Sequence, residues 1–190
     1  MVDLASIRNA TVFEGLTHEE LEELAGIAQE IRAGKSDRLF TSGQEATTFF
    51  VVKNGCFALT VQLRELDERV EIPVEEKKAG DAFGWSALVE PYRSVTSAYC
   101  TEDGALIGFP RRELEALLSA DTHLGHRFLR NLSQLMGSRI RAMQKLWINE
   151  VEQSIARVHY WTQIRLDDDW IREDGEAPRK HGSWWRPSST

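Results

Sequence analysis

The sequence is poor in cysteine, with only Cys56 and Cys100 among its 190 residues. Two cysteines without a paired spacing exclude a disulfide framework and are too few to hold an iron–sulfur cluster. Residues 1–15 lack the charged start and apolar centre of a signal peptide, and no apolar run approaches the roughly 20 residues of a membrane span. These absences predict a reduced, cytoplasmic protein that has no membrane partner.

The sequence also lacks the short motifs of common enzymes. It contains no nucleophile elbow, no phosphate-binding P-loop and no His-Glu-x-x-His zinc motif. His123 and His126 stand three residues apart in a helical pattern, but no third metal ligand accompanies them. The acidic run at 167–169 is more typical of a charged helix end or tail. We therefore expect no catalysis, no metal site and no required cofactor.

Basic residues are in the minority, and the formal net charge is −7. Residues 1–120 hold 12 Lys and Arg against 21 Asp and Glu (−9), whereas residues 121–165 hold 7 against 3 (+4). A protein that mainly binds nucleic acid would carry a basic surface, so no DNA partner is expected. The basic excess of the later segment is typical of a solvated helix face.

A first helix is predicted just after residue 17. Thr17 can cap its free N–H groups, and Glu20 can complete a capping box. Leu16 can pack against Leu21 across the helix start. The buried stripe that follows ends near Gln29.

Short runs of β-branched and aromatic residues, separated by glycines, predict strands between residues 30 and 110. Phe57, Leu59 and Val61 alternate with more polar residues, so their strand turns one face to a core. Asn54-Gly55 predicts a hairpin turn, because this pair tolerates the positive φ angles of a tight reversal. The pattern indicates a mainly β fold with flanking helices, a jelly-roll (double-stranded β-helix) barrel. The predicted strands cover residues 31, 39–40, 49–52, 57–63, 70–74, 95–101 and 105–109.

A short helix at 111–118 precedes a much longer one at 122–166. The long segment contains no proline, and its apolar residues recur every three or four positions. Such a helix would run roughly 60 Å, more than one small barrel can cover. We favour a homodimer through this helix over a helix that breaks near Asn149 and packs on its own barrel. The chain then divides into a barrel at 10–120, a dimerisation or lid helix at 121–166 and a flexible tail at 167–190.

The segment that follows Gly80 could bind an anion. Gly84 allows the backbone to bend closely, and Ser86 and Ala87 lie at the start of a short helical turn whose N–H groups favour negative charge. Arg93 could meet a phosphate with a forked pair of hydrogen bonds, and Ser94 adds a hydroxyl group. An equally valid interpretation places Arg93 in a surface or inter-strand ion pair.

The runs Leu39-Phe40-x-x-Gly43 and Gly80-Asp81-x-Phe83-Gly84, together with Pro91-Tyr92-Arg93-Ser94, resemble the cyclic nucleotide-binding domain. This is the sensor of the cAMP receptor protein (Crp/Fnr) family, of kinase regulatory subunits and of gated channels. The resemblance spans about residues 10–145.

The resemblance implies a jelly-roll barrel with a phosphate cassette between two strands. Helix-start amides and an arginine would hold the phosphate of a cyclic nucleotide, cAMP or cGMP, as a small-molecule effector. The long helix would close the pocket and, as in the bacterial regulators, form the dimer seam. The ligand-binding residues implied in this way are Phe83, Gly84, Trp85, Ser86, Ala87, Arg93 and Ser94.

The sequence departs from the family pattern at two places. Trp85 stands where the family has a glutamate that accepts a hydrogen bond from the ribose 2′-hydroxyl, and an indole can only donate. The inserted Tyr92 leaves the register of Arg93 open by one residue. A different anionic ligand, a differently posed nucleotide and an empty pocket therefore stay open, and Trp85 is favoured as core or pocket lining.

Two functions are compatible with these features. The first is a stand-alone sensor or regulatory module that binds a cyclic nucleotide or another anionic effector and signals through its long helix. A winged helix-turn-helix needs roughly 70 residues after that helix, and about 25 remain after Arg165, so no DNA-binding domain is expected. The alternative is a degenerate, ligand-free barrel that acts as a scaffold for a protein partner.

Overall fold

The computed structural model describes residues 2–65 and 68–168. The chain divides into two compact units, Met1–Ser138 and Arg139–Thr190. The helices are α1 (Leu4–Arg8), α2 (His18–Ile27), α3 (Arg111–Ala120) and α4 (Thr122–Asp168), and the strands are β1 (Gln29–Ala33), β2 (Arg38–Phe40), β3 (Thr48–Glu65), β4 (Glu68–Lys77), β5 (Ala82–Phe83) and β6 (Ser97–Pro110).

The strands form one antiparallel six-stranded sheet in the order β1-β6-β3-β4, with β2 paired to β6 and β5 paired to β3. The helices flank this sheet, so the predicted fold class, a mainly β jelly-roll barrel with flanking helices and a long helix after it, is confirmed. None of the helices in the described residues is long and apolar enough to span a membrane.

Alternation along β3 separates two hydrophobic cores. Phe49 and Val51 belong to the helix-side core, in which the sheet packs against residues of α1, α2, α3 and the beginning of α4. Val52, Phe57 and Leu59 belong to the barrel core. Successive residues of a strand face opposite sides, and this places one core on each face of the sheet. The other buried members of the barrel core are Ala33, Phe83, Ala98, Cys100 and Leu106.

The predicted hairpin turn at Asn54-Gly55 is wrong. β3 continues through these residues and its pairing with β6 shifts register there. Gly55 takes a φ of 81°, and a Cβ on it would lie 2.7 Å from the Cα of Gly104. The positive φ thus serves a bulge at a close crossing of two strands. The strands predicted at 95–101 and 105–109 are likewise one strand, β6, which passes this crossing at Gly104.

α4 is a single helix, so the break considered near Asn149 is absent. Within the first unit, Leu124, Phe128 and Leu132 are buried in the helix-side core. Gly125 lies so close to α3 that a Cβ on it would overlap the carbonyl oxygen of Leu118. Within the second unit, the described apolar side chains are exposed instead: Ile140, Met143, Leu146, Trp147, Ile148, Val151 and Ile155. The predicted tail after Asp168 lies outside the described residues.

A buried carboxylate ties α2 to α4. The capping box at Thr17 is present as predicted, with Glu20 Oε2 accepting a hydrogen bond from the Thr17 N–H at 2.6 Å. The other oxygen of Glu20 lies 2.5 Å from Nδ1 of His123. Burial raises the pKa of the Glu20 carboxyl, but the hydrogen bonds from His123 and Thr17 outweigh it, and the net pKa is lowered.

Glu20→Gln is expected to lower the free energy of unfolding by about 1 kcal/mol at neutral pH. Glutamine preserves the capping box, so the loss reports the charge. Because the folded-state pKa of Glu20 is lowered, its contribution is present above the usual glutamate pKa and disappears as pH falls through the lowered value. Urea unfolding of both proteins across acidic and neutral pH measures the difference, and a difference that does not change with pH would contradict this role.

Candidate functional site

The predicted cassette begins on β5, which pairs with Phe50 and Val51 of β3. Gly84 follows with a φ of 80°, and a Cβ on it would lie 3.0 Å from the carbonyl oxygen of Thr48. The chain then forms one short 3-10 turn, Trp85–Leu88. Gly84 therefore bends the chain against β3, as the sequence predicted.

The two small residues of this turn, Ser86 and Ala87, point into the protein. Ser86 and Ala87 are buried, and the Ala87 N–H donates to the carbonyl oxygen of Gly84 at 3.0 Å. This amide is thus engaged inside the turn. A four-residue turn also carries little of the dipole of a full helix, because that dipole is a sum over aligned peptide groups.

Trp85 packs on the helix-side core. Its side chain is partly buried there, whereas Phe83, two residues earlier, is buried in the barrel core. The tryptophan therefore acts as a core residue in this structure. The Trp85 side chain therefore anchors the turn to the helix-side core, which includes residues of α2 and α4.

Trp85→Ala is expected to lower the free energy of unfolding by about 2 kcal/mol, because it removes a large side chain that contacts the core. Trp85→Phe keeps an apolar ring and should lose less than half of that amount. Equilibrium unfolding in urea measures both variants. An unchanged midpoint for Trp85→Ala would show that the indole contributes nothing to packing.

Arg93 and Ser94 lie beside the loop at Gly43. Backbone hydrogen bonds join Gly43 to Ser94 at 2.7 Å and Ser94 to Gln44 at 2.9 Å. Ser94 is buried, whereas the exposed Arg93 donates from Nη1 to the carbonyl oxygen of Gly43 at 2.9 Å. Gly84 and Arg93 both contact the chain between residues 43 and 50, so the structure brings the two parts of the predicted site against one segment.

Arg111, the first residue of α3, is a part of this region that the sequence did not indicate. Its guanidinium group lies 4.4 Å from the ring centre of Tyr92 and donates to the carbonyl oxygen of Ala46 at 3.1 Å. It also contacts Glu45 Oε1 at 3.2 Å, and its side chain is only 15% exposed. Arg111 therefore holds Tyr92 and the segment before β3 against the start of α3. No local pattern could have revealed a contact between residues so far apart in sequence.

Four phenylalanines cluster in the barrel next to the cassette. Phe50 stacks on Phe83 with ring centres 5.2 Å apart, and Phe40 stacks on Phe50 at 5.9 Å. Phe57 lies 6.3 Å from Phe83. Phe40 and Phe50 are only partly buried. The region offers apolar, aromatic surface beside a bend of the backbone.

Other candidate features lie elsewhere. A cavity of about 160 Å³ is lined by two residues before α2 and four residues of α4, namely Thr11, Glu14, Asn131, Gln134, Leu135 and Ser138. The part of the chain that the structure describes contains no group of three or more residues that could hold a metal ion. Both cysteines are free and buried, and burial raises the pKa of each thiol, which makes them poor nucleophiles.

Comparison with known proteins shows what part of the chain is similar to them. Residues 30–121 match the family model of the cyclic nucleotide-binding domain. Glutaminase 1 of Bradyrhizobium diazoefficiens is 30% identical over 130 residues, which cover 68% of this chain and 20% of that protein. The chain thus spans about a fifth of the length of this relative.

The chain is also similar to many solved structures, of which two serve as examples. A cyclic nucleotide-binding protein from Geobacter metallireducens has 21% identity and a TM-score of 0.62 over 74% of this chain and 99% of its own. The regulatory domain of Toxoplasma gondii PKA, crystallised with cAMP, has 21% identity and a TM-score of 0.53 over 60% of this chain and 42% of its own. At this identity the likeness shows a common fold.

Proposed function

Because residues 30–121 match the family model of the cyclic nucleotide-binding domain, we propose that this chain is a regulatory module whose cassette binds a cyclic nucleotide or another anionic effector. The observation that carries the proposal is the bend at Gly84 against the start of β3, with Arg93 hydrogen-bonded to Gly43 in the loop that precedes β3. Domains of this family are regulatory and generally non-catalytic, and the proposal includes no catalytic step.

Arg93 is the proposed phosphate ligand. A guanidinium group has five N–H donors, and the contact with Gly43 uses one of them. Because the side chain is exposed, it can turn to an incoming anion without breaking a buried network. Ser94, beside it, would position the backbone, and the turn at Ser86 and Ala87 would border the phosphate.

Trp85 sets the proposed site apart from the family pattern. Its indole packs on the helix-side core and supplies no acceptor for a ribose hydroxyl. A nucleotide in this site would therefore depend more on its phosphate and base than on its ribose.

We also propose that two copies of the chain pair through α4. The described part of the second unit exposes a stripe of apolar residues at helical spacing, with Trp147 69% exposed. A soluble helix rarely leaves such a stripe uncovered, and a second copy presents an identical one. The same stripe favours the second candidate function, a scaffold that binds a protein partner without any small ligand.

Calorimetric titration of the chain with cAMP and with cGMP tests the proposed function. Saturable binding of either nucleotide is expected, and the matching acyclic 5′-monophosphate, which carries a differently shaped and more highly charged phosphate, should bind at least 10-fold more weakly. The absence of binding by both cyclic nucleotides would overturn a cyclic nucleotide sensor and favour the scaffold.

A further inference from the structure

Strand register places a charged pair on the barrel-core face of β4. Lys77 pairs with Phe57 and Glu75 pairs with Leu59. Directly paired residues of antiparallel strands project from the same face of a sheet. Phe57 and Leu59 are buried in the barrel core, so Lys77 and Glu75 project toward that core as well.

The pair is largely withdrawn from solvent. Nζ of Lys77 lies 2.5 Å from Oε1 of Glu75, and the two side chains are 12% and 27% exposed. Phe57, opposite Lys77, contacts Phe83, which directly precedes Gly84. The rings of Phe57 and Phe83 therefore connect the charged pair to the bend at Gly84.

Glu76 of β4 and Lys78, just after the end of this strand, provide an internal contrast. Lys78 and Glu76 also form an ion pair, at 3.0 Å, but their side chains are 68% and 59% exposed. Glu75 and Lys77 thus project toward the barrel core, whereas Glu76 and Lys78 project toward solvent. The outward pair is mostly exposed, although Glu76 Oε1 also accepts a hydrogen bond from the Cys56 thiol at 3.0 Å. The inward pair carries a desolvation penalty that seldom leaves a net gain in stability. Stability alone gives little reason for an ion pair on this face.

We propose that Lys77 and Glu75 recognise the base of the bound nucleotide and select guanine over adenine; the inference rests on the proposed binding of a cyclic nucleotide. A carboxylate only accepts hydrogen bonds and an ammonium group only donates them. Guanine presents two adjacent N–H donors, at N1 and N2, and two acceptors, O6 and N7. Its edge can therefore satisfy both charged groups at once.

Adenine fits the same pair less well. Its N6 amino group can give one hydrogen bond to a carboxylate and its N7 can accept one from an ammonium group, whereas guanine can give the carboxylate two, from N1 and N2. A site with polar groups that are partly withdrawn from water favours the ligand that forms more hydrogen bonds with them. The partly buried rings of Phe40 and Phe50 would contact the flat faces of either purine. The charged pair, and not the rings, would discriminate between the bases.

Competition titrations with cGMP and cAMP test the inference in the wild type and in Glu75→Gln and Lys77→Met. The wild type is expected to bind cGMP at least 10-fold more tightly than cAMP, and each variant should reduce that ratio to below about threefold. The outward variants Glu76→Gln and Lys78→Met are matched controls and should keep the wild-type ratio. Thermal unfolding of all five proteins reports whether the variants fold.

The outcomes separate this inference from the proposed function. Binding of cAMP as tight as that of cGMP, or a ratio that survives Glu75→Gln and Lys77→Met in folded protein, would overturn base selection and leave the sensor function intact. Failure of both nucleotides to bind the wild type would overturn both.

Discussion

Arg93→Ala is expected to lower the affinity for the cyclic nucleotide about 100-fold. A guanidinium group that donates two hydrogen bonds to a phosphate contributes charge-assisted bonds of about 1.5–3 kcal/mol each, and roughly 1.4 kcal/mol corresponds to a factor of 10. The substitution removes only one described contact of the free protein, the hydrogen bond to Gly43. The variant should therefore remain as stable as the wild type. Calorimetric titration at a fixed salt concentration measures the loss.

Two further variants make this result specific. Arg93→Lys keeps the charge but loses the planar fork, so its affinity should fall between those of the wild type and the alanine variant. Arg112→Ala removes an exposed arginine of α3 and should bind as the wild type does. Wild-type affinity in Arg93→Ala would show that Arg93 is a surface residue whose partner is Gly43 alone.

Trp147→Glu is expected to convert a dimer of the chain into monomers and to raise the dimer dissociation constant at least 100-fold. Ile140, Met143, Trp147 and Val151 follow each other at three- and four-residue spacing, and all are exposed in the described chain. An aromatic residue at the centre of an apolar seam commonly dominates its energy, and a carboxylate there would be desolvated without a partner. Sedimentation equilibrium over a range of concentrations measures the change.

Asn149→Glu is the matched control for this prediction. At 100° per residue Asn149 lies about 160° around the helix from Trp147, yet it would introduce the same charge only two residues away. This control should stay dimeric. A wild-type chain that sediments as a monomer, or a dimer that survives Trp147→Glu, would contradict pairing through α4.

The elements set by local chemistry were predictable from the sequence. The capping box at Thr17 depends on residues three apart, and the helical period of α4 repeats over many turns. The bend at Gly84 was likewise predictable, because a glycine between a strand and a short helical turn readily adopts the positive φ that such a bend needs. The capping box and the helical period are stabilised mainly by near neighbours in the chain.

Features set by contacts between distant segments were not predictable. Asn54-Gly55 has the composition of a hairpin turn, and only the approach of Gly104 from β6 makes it a bulge. The stacking of Arg111 on Tyr92 is equally invisible in the sequence.

The direction of the two charged pairs of β4 depends on strand register. Four consecutive charges give no periodic signal of their own, and the irregularity between Leu59 and Thr60 of β3 decides which residues of β4 oppose the barrel core. Glu75 and Lys77 could therefore be assigned to the core face only from the paired strands.

The most direct test of ligand binding at the cassette is the mapping of amide chemical shifts in the isotope-labelled chain during titration with cGMP. Binding at the proposed site predicts large, saturable changes at Gly84, Ser86 and Arg93, together with changes at Lys77 on the barrel-core face. Saturable changes confined to other residues, such as those around the cavity at Asn131, or no changes at all, would contradict a nucleotide site at the cassette.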